Sequence, residues 1–168
     1  MGGYLSRRGP EHIEFVREFW ANRGLVEDLT FDYYKLPIDD AKLNLILAKE
    51  KRQSIFESKS IHWVIEKEAT RYGFLSLTGY SKANNHVNLS IAMSRINSII
   101  ATKAVDEAIR FARDKLEIKK IILKIHSKNR HAISSALKYG FELEGVLKCE
   151  YRKFSGEYID ITRMGLIL

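Results

Sequence analysis

One cysteine among 168 residues, Cys149, leaves no partner for an intramolecular disulfide and rules out a multi-cysteine metal site. It is expected as a small residue in a late strand, and no metal is expected. No apolar run approaches the roughly 20 residues that span a bilayer, so no membrane partner is expected. The chain does not open on the basic, apolar and small residues of a secretory signal, which makes the cytoplasm the expected compartment. Repeats, linkers and low-complexity segments are missing too, and the length suits one domain, residues 1–168, with a substantial core.

What is present fits a soluble globular class, with 45% hydrophobic and 29% charged residues. The net charge of +7 favours a polyanionic ligand or partner, such as a phosphorylated cofactor, a ribosomal surface or an acidic protein. The basic residues are scattered, with no zinc-finger or stacking motif, so nucleic-acid contact is expected only through association with the ribosome. Residues 1–6 fit the loose N-myristoylation pattern, which chance also produces.

Hydrophobic periodicity predicts the elements in order. Residues 2–8 predict a strand, and Gly9-Pro10-Glu11 starts a helix over 11–23 with Ile13, Val16, Phe19 and Trp20 inward and Gly24 at its end. Residues 25–36, with Phe31, Tyr33 and Tyr34, form an aromatic loop that lines a groove or covers the core. Pro37 starts a further helix whose apolar stripe is Leu43, Leu45, Ile46, Leu47 and Phe56. Strands at 61–67, 72–80 and 86–93, joined by polar turns, form a meander.

From His86 the pattern changes. A strand at 86–93, an irregular connection at 94–98, an amphipathic helix at 99–116, an apolar strand at 120–126 and a helix at 129–139 follow one another. Two strands joined by a crossover helix lie parallel. Ala101, Ala104, Val105, Ala108, Ile109 and Ala112 share the inward face of the first helix, where small side chains allow close packing on a sheet. Ala132, Ile133, Ala136 and Leu137 face inward on the second. Strands at 141–152 and 158–168, turning at Ser155-Gly156-Glu157, complete one α/β domain with helices on both faces of a mixed sheet.

Asn129-Arg130-His131-Ala132-Ile133, Gly140-Phe141-Glu142-Leu143-Glu144-Gly145 and Gly156-Glu157-Tyr158-Ile159-Asp160 stand in this order before a hydrophobic end. Together with the element order they resemble the GNAT superfamily of acetyl-CoA-dependent N-acetyltransferases, and within it the RimJ/RimL-like branch. The resemblance implies a mainly antiparallel central sheet with a splayed parallel strand pair. It implies acetyl-CoA as cosubstrate, a primary amine on a protein N-terminus or a small molecule as acceptor, direct transfer without a covalent enzyme intermediate, and a homodimer.

In the family the strand before the central helix pairs its exposed backbone with the pantetheine arm. The next loop, (Gln/Arg)-x-x-Gly-x-(Gly/Ala), turns its N–H groups toward the pyrophosphate at the helix N-terminus. The resemblance therefore assigns donor binding to Ile91, Ala92, Met93, Arg95, Asn97, Ser98, Ile99, Ile100, Ala101 and Asn129. The loop here holds no glycine, and the register set by Thr102-Lys103-Ala104 puts Ile99 where the first glycine belongs. Two readings stay open: Ser98 or Asn97 substitutes for glycine and the chain is an enzyme, or a catalytically silent GNAT-like domain binds through the same groove.

The family's tyrosine, seven residues after the asparagine, falls on Ala136. Ser134 and Ser135 are then the nearest hydroxyls able to protonate the leaving thiolate. Tyr139 is expected to pack. His126 faces the expected groove and can relay a proton, and His62, Glu66, His86, Asn88 and Glu144 are further candidates for the base. Asp160 matches the family's late acid or anchors the hairpin.

Overall fold

The structure is a computed structural model that describes residues 3–27, 39–153 and 155–168. The N-myristoylation pattern at Gly2, the aromatic residues Phe31, Tyr33 and Tyr34, and Pro37 lie outside the described residues.

The elements are β1 (Leu5–Arg7), a 3-10 turn (Pro10–His12), α1 (Ile13–Ala21), α2 (Arg23–Glu27), α3 (Asp40–Arg52) and α4 (Ile55–Ser58), followed by β2 (Ser60–Lys67), β3 (Thr70–Ser81), β4 (His86–Met93), α5 (Ser98–Leu116), β5 (Lys120–His126), α6 (Arg130–Lys138), β6 (Glu142–Arg152) and β7 (Tyr158–Ile167). They build a seven-stranded sheet in the order β1-β2-β3-β4-β5-β7-β6. Every neighbouring pair is antiparallel except β4 and β5, which run parallel across the α5 crossover. The expected mixed, mainly antiparallel α/β sheet is the one observed.

Alternation along the strands sends side chains to two cores. One face carries Trp63, Ile65, Leu75, Leu77, Val87, Leu89 and Ile121, covered by α5 through Ala104, Ala108 and Ala112, each fully buried, and by α6 through Ala136. The opposite face carries Val64, Phe74 and Ala92, covered by Phe15, Val16 and Phe19 of α1 and Leu43 and Leu47 of α3. Phe74 is the hub of that second layer, with its ring centroid 4.8 Å from that of Phe19 and 5.1 Å from that of Phe15.

Several expectations are corrected. Gly24 does not end the first helix but lies inside α2. Asn22 makes the break, because its N–H bonds the Phe19 carbonyl while its side-chain oxygen accepts from Leu25 N–H at 3.2 Å. Of the stripe expected on α3, only Leu43 and Leu47, one turn apart, are buried. Leu45 is 72% exposed because it lies about 200° round the helix from Leu43, and Ile46, at the margin of the stripe, is 40% exposed. Phe56 belongs to α4 and is exposed, and Ile55 takes the buried place. On α6 Leu137 faces solvent at 54% exposure. The β2–β3 turn is tighter than expected, two residues long, with Glu68 and Ala69 both at positive φ as a type I′ hairpin requires.

Candidate functional site

β4 and β5 bond to each other only at His86–Lys120, Val87–Ile121 and Asn88–Ile122. Beyond those pairs both strands continue, each still bonded on its outer side, β4 to β3 and β5 to β7. The edges that face each other over residues 89–93 and 123–126 therefore present backbone N–H and C=O groups without a strand partner. Such groups recruit a ligand or water, because a buried unpaired amide is costly. Gly73 fixes one lip of the opening. It stands opposite Met93, and a Cβ there would lie 2.0 Å from the Ala92 carbonyl oxygen, so only glycine lets β4 lie this close to β3.

Ile91, Ala92 and Met93 lie on the unpaired half of β4 with their side chains buried or half-buried; the Ala92 carbonyl turns to Gly73 on β3, so Ile91 and Met93 turn their backbone toward the opening. Asn97 caps α5: its side-chain oxygen accepts from Ile100 N–H at 3.1 Å and its carbonyl from Ala101 N–H at 2.9 Å. The Ile100 side chain is buried in the core under α5, and Ala101 is half-buried. Ser98 and Ile99 are exposed, and their amides donate to nothing among the described residues. Arg95 lines a cavity of about 450 Å³ beside Glu14, Glu18 and Arg71 under α1, on the face of the sheet opposite α5.

Asn129 caps α6, its side-chain oxygen accepting from Ala132 N–H at 3.0 Å, which leaves its amide nitrogen to donate elsewhere. His126 ends β5, and its Nδ1 accepts from Lys128 N–H at 3.1 Å. The neutral ring therefore carries its proton on Nε2. Ser134 is exposed and Ser135 half-buried on α6, and neither hydroxyl has a partner among the described residues. The Tyr139 hydroxyl donates to the Thr102 carbonyl at 3.0 Å, tying α6 to α5 as packing requires. Burial raises its pKa.

The other candidates, His86 apart, have partners of their own. Asp160 accepts from Cys149 N–H at 3.0 Å and from Lys148 Nζ at 2.8 Å. It thereby braces a bulge of β6 in which Cys149 has φ 51°. Hydrogen bonds from Lys148 and from that amide hold its carboxyl below the usual range. Glu144 is paired with Lys120 and with Arg163, and the Lys120 bond is the main cause of its lowered pKa. Glu66 accepts from Ser6 and stands 3.8 Å from His12 and 3.7 Å from Arg71. The Asn88 amide donates to the Thr78 carbonyl at 3.3 Å. His86 has a buried Nδ1 with no partner among the described residues.

A polar row crosses the sheet into the opening. His62 on β2 stands opposite Ser76 on β3, which stands opposite Ser90 on the unpaired half of β4. His62 Nδ1 and Ser76 Oγ are 2.8 Å apart. The alternation of His86, Asn88 and Ser90 with Val87, Leu89 and Ile91 carried the signal for Ser90. Pairing it with His62 needed the strand register.

A sheet of this order, opened between its one parallel pair, with a helix end at the mouth, defines the class of acetyl-CoA-dependent N-acetyltransferases. Residues 7–142 match the family described as "Acetyltransferase (GNAT) domain", and the chain belongs to that family. Solved structures share the fold. Spermidine N-acetyltransferase from Vibrio cholerae in complex with CoA and spermine is 19% identical, with a TM-score of 0.80 over 97% of this chain and 94% of that one. The same organism's spermidine/spermine N-acetyltransferase with manganese ions is 17% identical, with a TM-score of 0.76 over 97% and 91%. A protein described as a probable acetyltransferase is 17% identical, with a TM-score of 0.82 over 97% and 91%. No match is found among curated proteins.

Burial pushes the His62 pKa down to about 3, and the guanidiniums of Arg8 and Arg7 add to the shift. The unfolded chain binds a proton at this residue below about pH 6.5, the folded chain only near pH 3. This contribution to stability is therefore complete above about pH 6.5 and is lost as the pH falls toward 3. Thermal unfolding should show the wild-type Tm falling further than that of His62→Asn between about pH 7 and about pH 4.5. Equal falls would contradict the assignment.

Proposed function

We propose that the chain, as one domain of the RimJ/RimL-like branch, moves the acetyl group of acetyl-CoA to a primary amine by direct attack in a ternary complex. The pair of unpaired strand edges between β4 and β5 carries this reading, because an arm containing amide groups can bond to such an edge as a missing strand would. Ile91 and Met93 supply the edge, with Ala92 between them bonded toward β3. Asn129 donates its free amide, and Ser98 and Ile99 offer the amides at the end of α5.

Three things are needed for the chemistry: a deprotonated amine, a polarised carbonyl and a proton for the departing thiolate. His126, at the end of β5, has its Nε2 proton to give. Ser134 and Ser135 present hydroxyls from α6. Ser90, backed by Ser76 and His62, offers an oxygen to the incoming amine at the edge of β4.

The acceptor is a small-molecule amine or a protein N-terminus. Structures named for spermidine acetylation support the first, but charge argues against a polycation. Lys124, on the part of β5 beyond its last pair with β4, and its neighbour Arg163 are each matched by one acid, Glu150 and Glu144, while the whole chain carries +7. A monoamine or an N-terminus presented by the acidic surface of a ribosome fits better. The reading also places the chain in the cytoplasm, as a homodimer that uses the free edge of β6, where Leu143 and Val146 are exposed. The alternative, a catalytically silent binding domain, is favoured by the glycine-free start of α5 alone.

Acetyl-CoA at a hundredfold excess over its Kd should stabilise the fold by about 2.7 kcal/mol, which is roughly 5–10 °C in Tm for a chain of this size. No shift at millimolar ligand would overturn the enzyme reading. Asn129→Asp keeps a good cap oxygen but removes the amide donor. It should leave Tm of the free protein within about 2 °C while weakening acetyl-CoA about 2- to 13-fold by calorimetry, the value of one hydrogen bond. Unchanged affinity would remove Asn129 from the donor site.

A further inference from the structure

The hollow of about 450 Å³ under α1 has the size of a small-ligand pocket. One wall is α1, and the other is made by the β2–β3 turn and the residues that follow β4. Arg95 apart, no residue assigned to the donor or to the chemistry lines it.

The charges around this hollow stay apart. Glu14 and Glu18 stand one turn from each other on α1, and neither has a partner among the described residues. Like charges at that spacing cost helix stability. Glu18 also falls in the last turn of α1, where the helix dipole disfavours an acid and no basic residue answers it. On the other wall Arg95 has no partner among the described residues either. Arg71 meets the Glu11 carbonyl at 3.3 Å and a Glu66 oxygen at 3.7 Å. Two acids and two guanidiniums thus line one hollow without pairing across it. The second wall is preformed, because the amides of Ser94 and Arg95 both donate to the Tyr72 carbonyl, at 2.8 and 3.1 Å.

Charge of both signs selects among ligands. A polyamine gains the acids of α1 but meets Arg71 and Arg95, and a phosphate gains the guanidiniums but meets the acids. A molecule with one ammonium and one carboxylate is attracted at both ends. Its ammonium suits Glu14 and Glu18, and its carboxylate suits the planar fork of Arg95, which holds two oxygens at once. Thr70 and Ser94 add hydroxyls to the lining, and Phe15 and Phe19 add apolar carbon.

We propose that this hollow is a second binding site, separate from the opening between β4 and β5, for a small zwitterion of about dipeptide size. It stands independently of the acetyltransferase reading. The ligand, rather than the protein, neutralises Glu14 and Glu18, which α1 keeps at a cost to itself.

Calorimetric titration of the full chain with alanylalanine, its C-terminal amide and its N-acetyl derivative tests this, since the last two each lack one charge of the first. Alanylalanine is expected to bind at least about tenfold tighter than either, the value of a hydrogen bond to a charged group. Equal binding of the three, or no binding of alanylalanine up to about 10 mM, would overturn the proposal. Glu18→Gln and Arg95→Gln locate the site, and each should weaken alanylalanine at least about fivefold. Unchanged affinity in either variant would put the dipeptide elsewhere, such as in the opening as an amine acceptor, and would overturn the proposal. Glu18→Gln should also leave the Tm of the free protein equal to or above that of the wild type, as loss of an unpaired acid predicts. A lower Tm would show Glu18 serving the fold instead and would overturn it too.

Discussion

Three residue pairs hold β4 to β5, and the rest of the molecule depends on that ladder ending at Asn88 and Ile122. Strands that part in mid-sheet leave polar backbone exposed between two cores, and nothing within either strand compensates. The parting persists because each strand is fixed from its outer side. β4 is bonded to β3 as far as Met93, with Gly73 admitting the close approach, and β5 is bonded to β7 as far as His126. Packing does the rest, since α5 lies on fully buried alanines under one face and α1 and α3 clamp Phe74 and Ala92 on the other. Closing the gap would mean breaking one of these ladders.

From that constraint the function follows in order. The opening is a slot for an extended ligand with amide groups, and the crossover that makes β4 and β5 parallel also sets the start of α5 at its mouth. His126 ends β5, and Ser90 lies on the stretch of β4 beyond its last pair with β5. The row from His62 through Ser76 reaches the register of Ser90 on β4, and burial lowers the pKa of that imidazole. The family's chemistry asks for little more than placement and a route for protons.

Much of the fold was legible because it is periodic. β4 and β5 have the bounds that alternation and an apolar run predict, and α5 begins one residue earlier than expected because Asn97 caps it. The glycine-free loop was visible in the sequence as well. What escaped was whatever depends on direction. Four apolar residues at 43, 45, 46 and 47 cannot reveal which face of α3 turns inward until Val64 and Phe74 are in place. Arg95 is aperiodic, and its position under α1 rather than at the helix end is set by how the loop turns. His62 and Ser90 lie 28 positions apart, a separation that only two strand registers bring to one row. Asp160 could act or brace, and only the β6 bulge shows that it braces.

Hydrogen–deuterium exchange of the backbone in residues 89–93 tests the central claim most directly. If the unpaired edge of β4 is where the donor's arm lies, saturating CoA should slow exchange there by about tenfold or more at the alternate amides that face β5, since those gain a partner. Slowing confined to α5 and α6, with residues 89–93 exchanging as in the free protein, would contradict it.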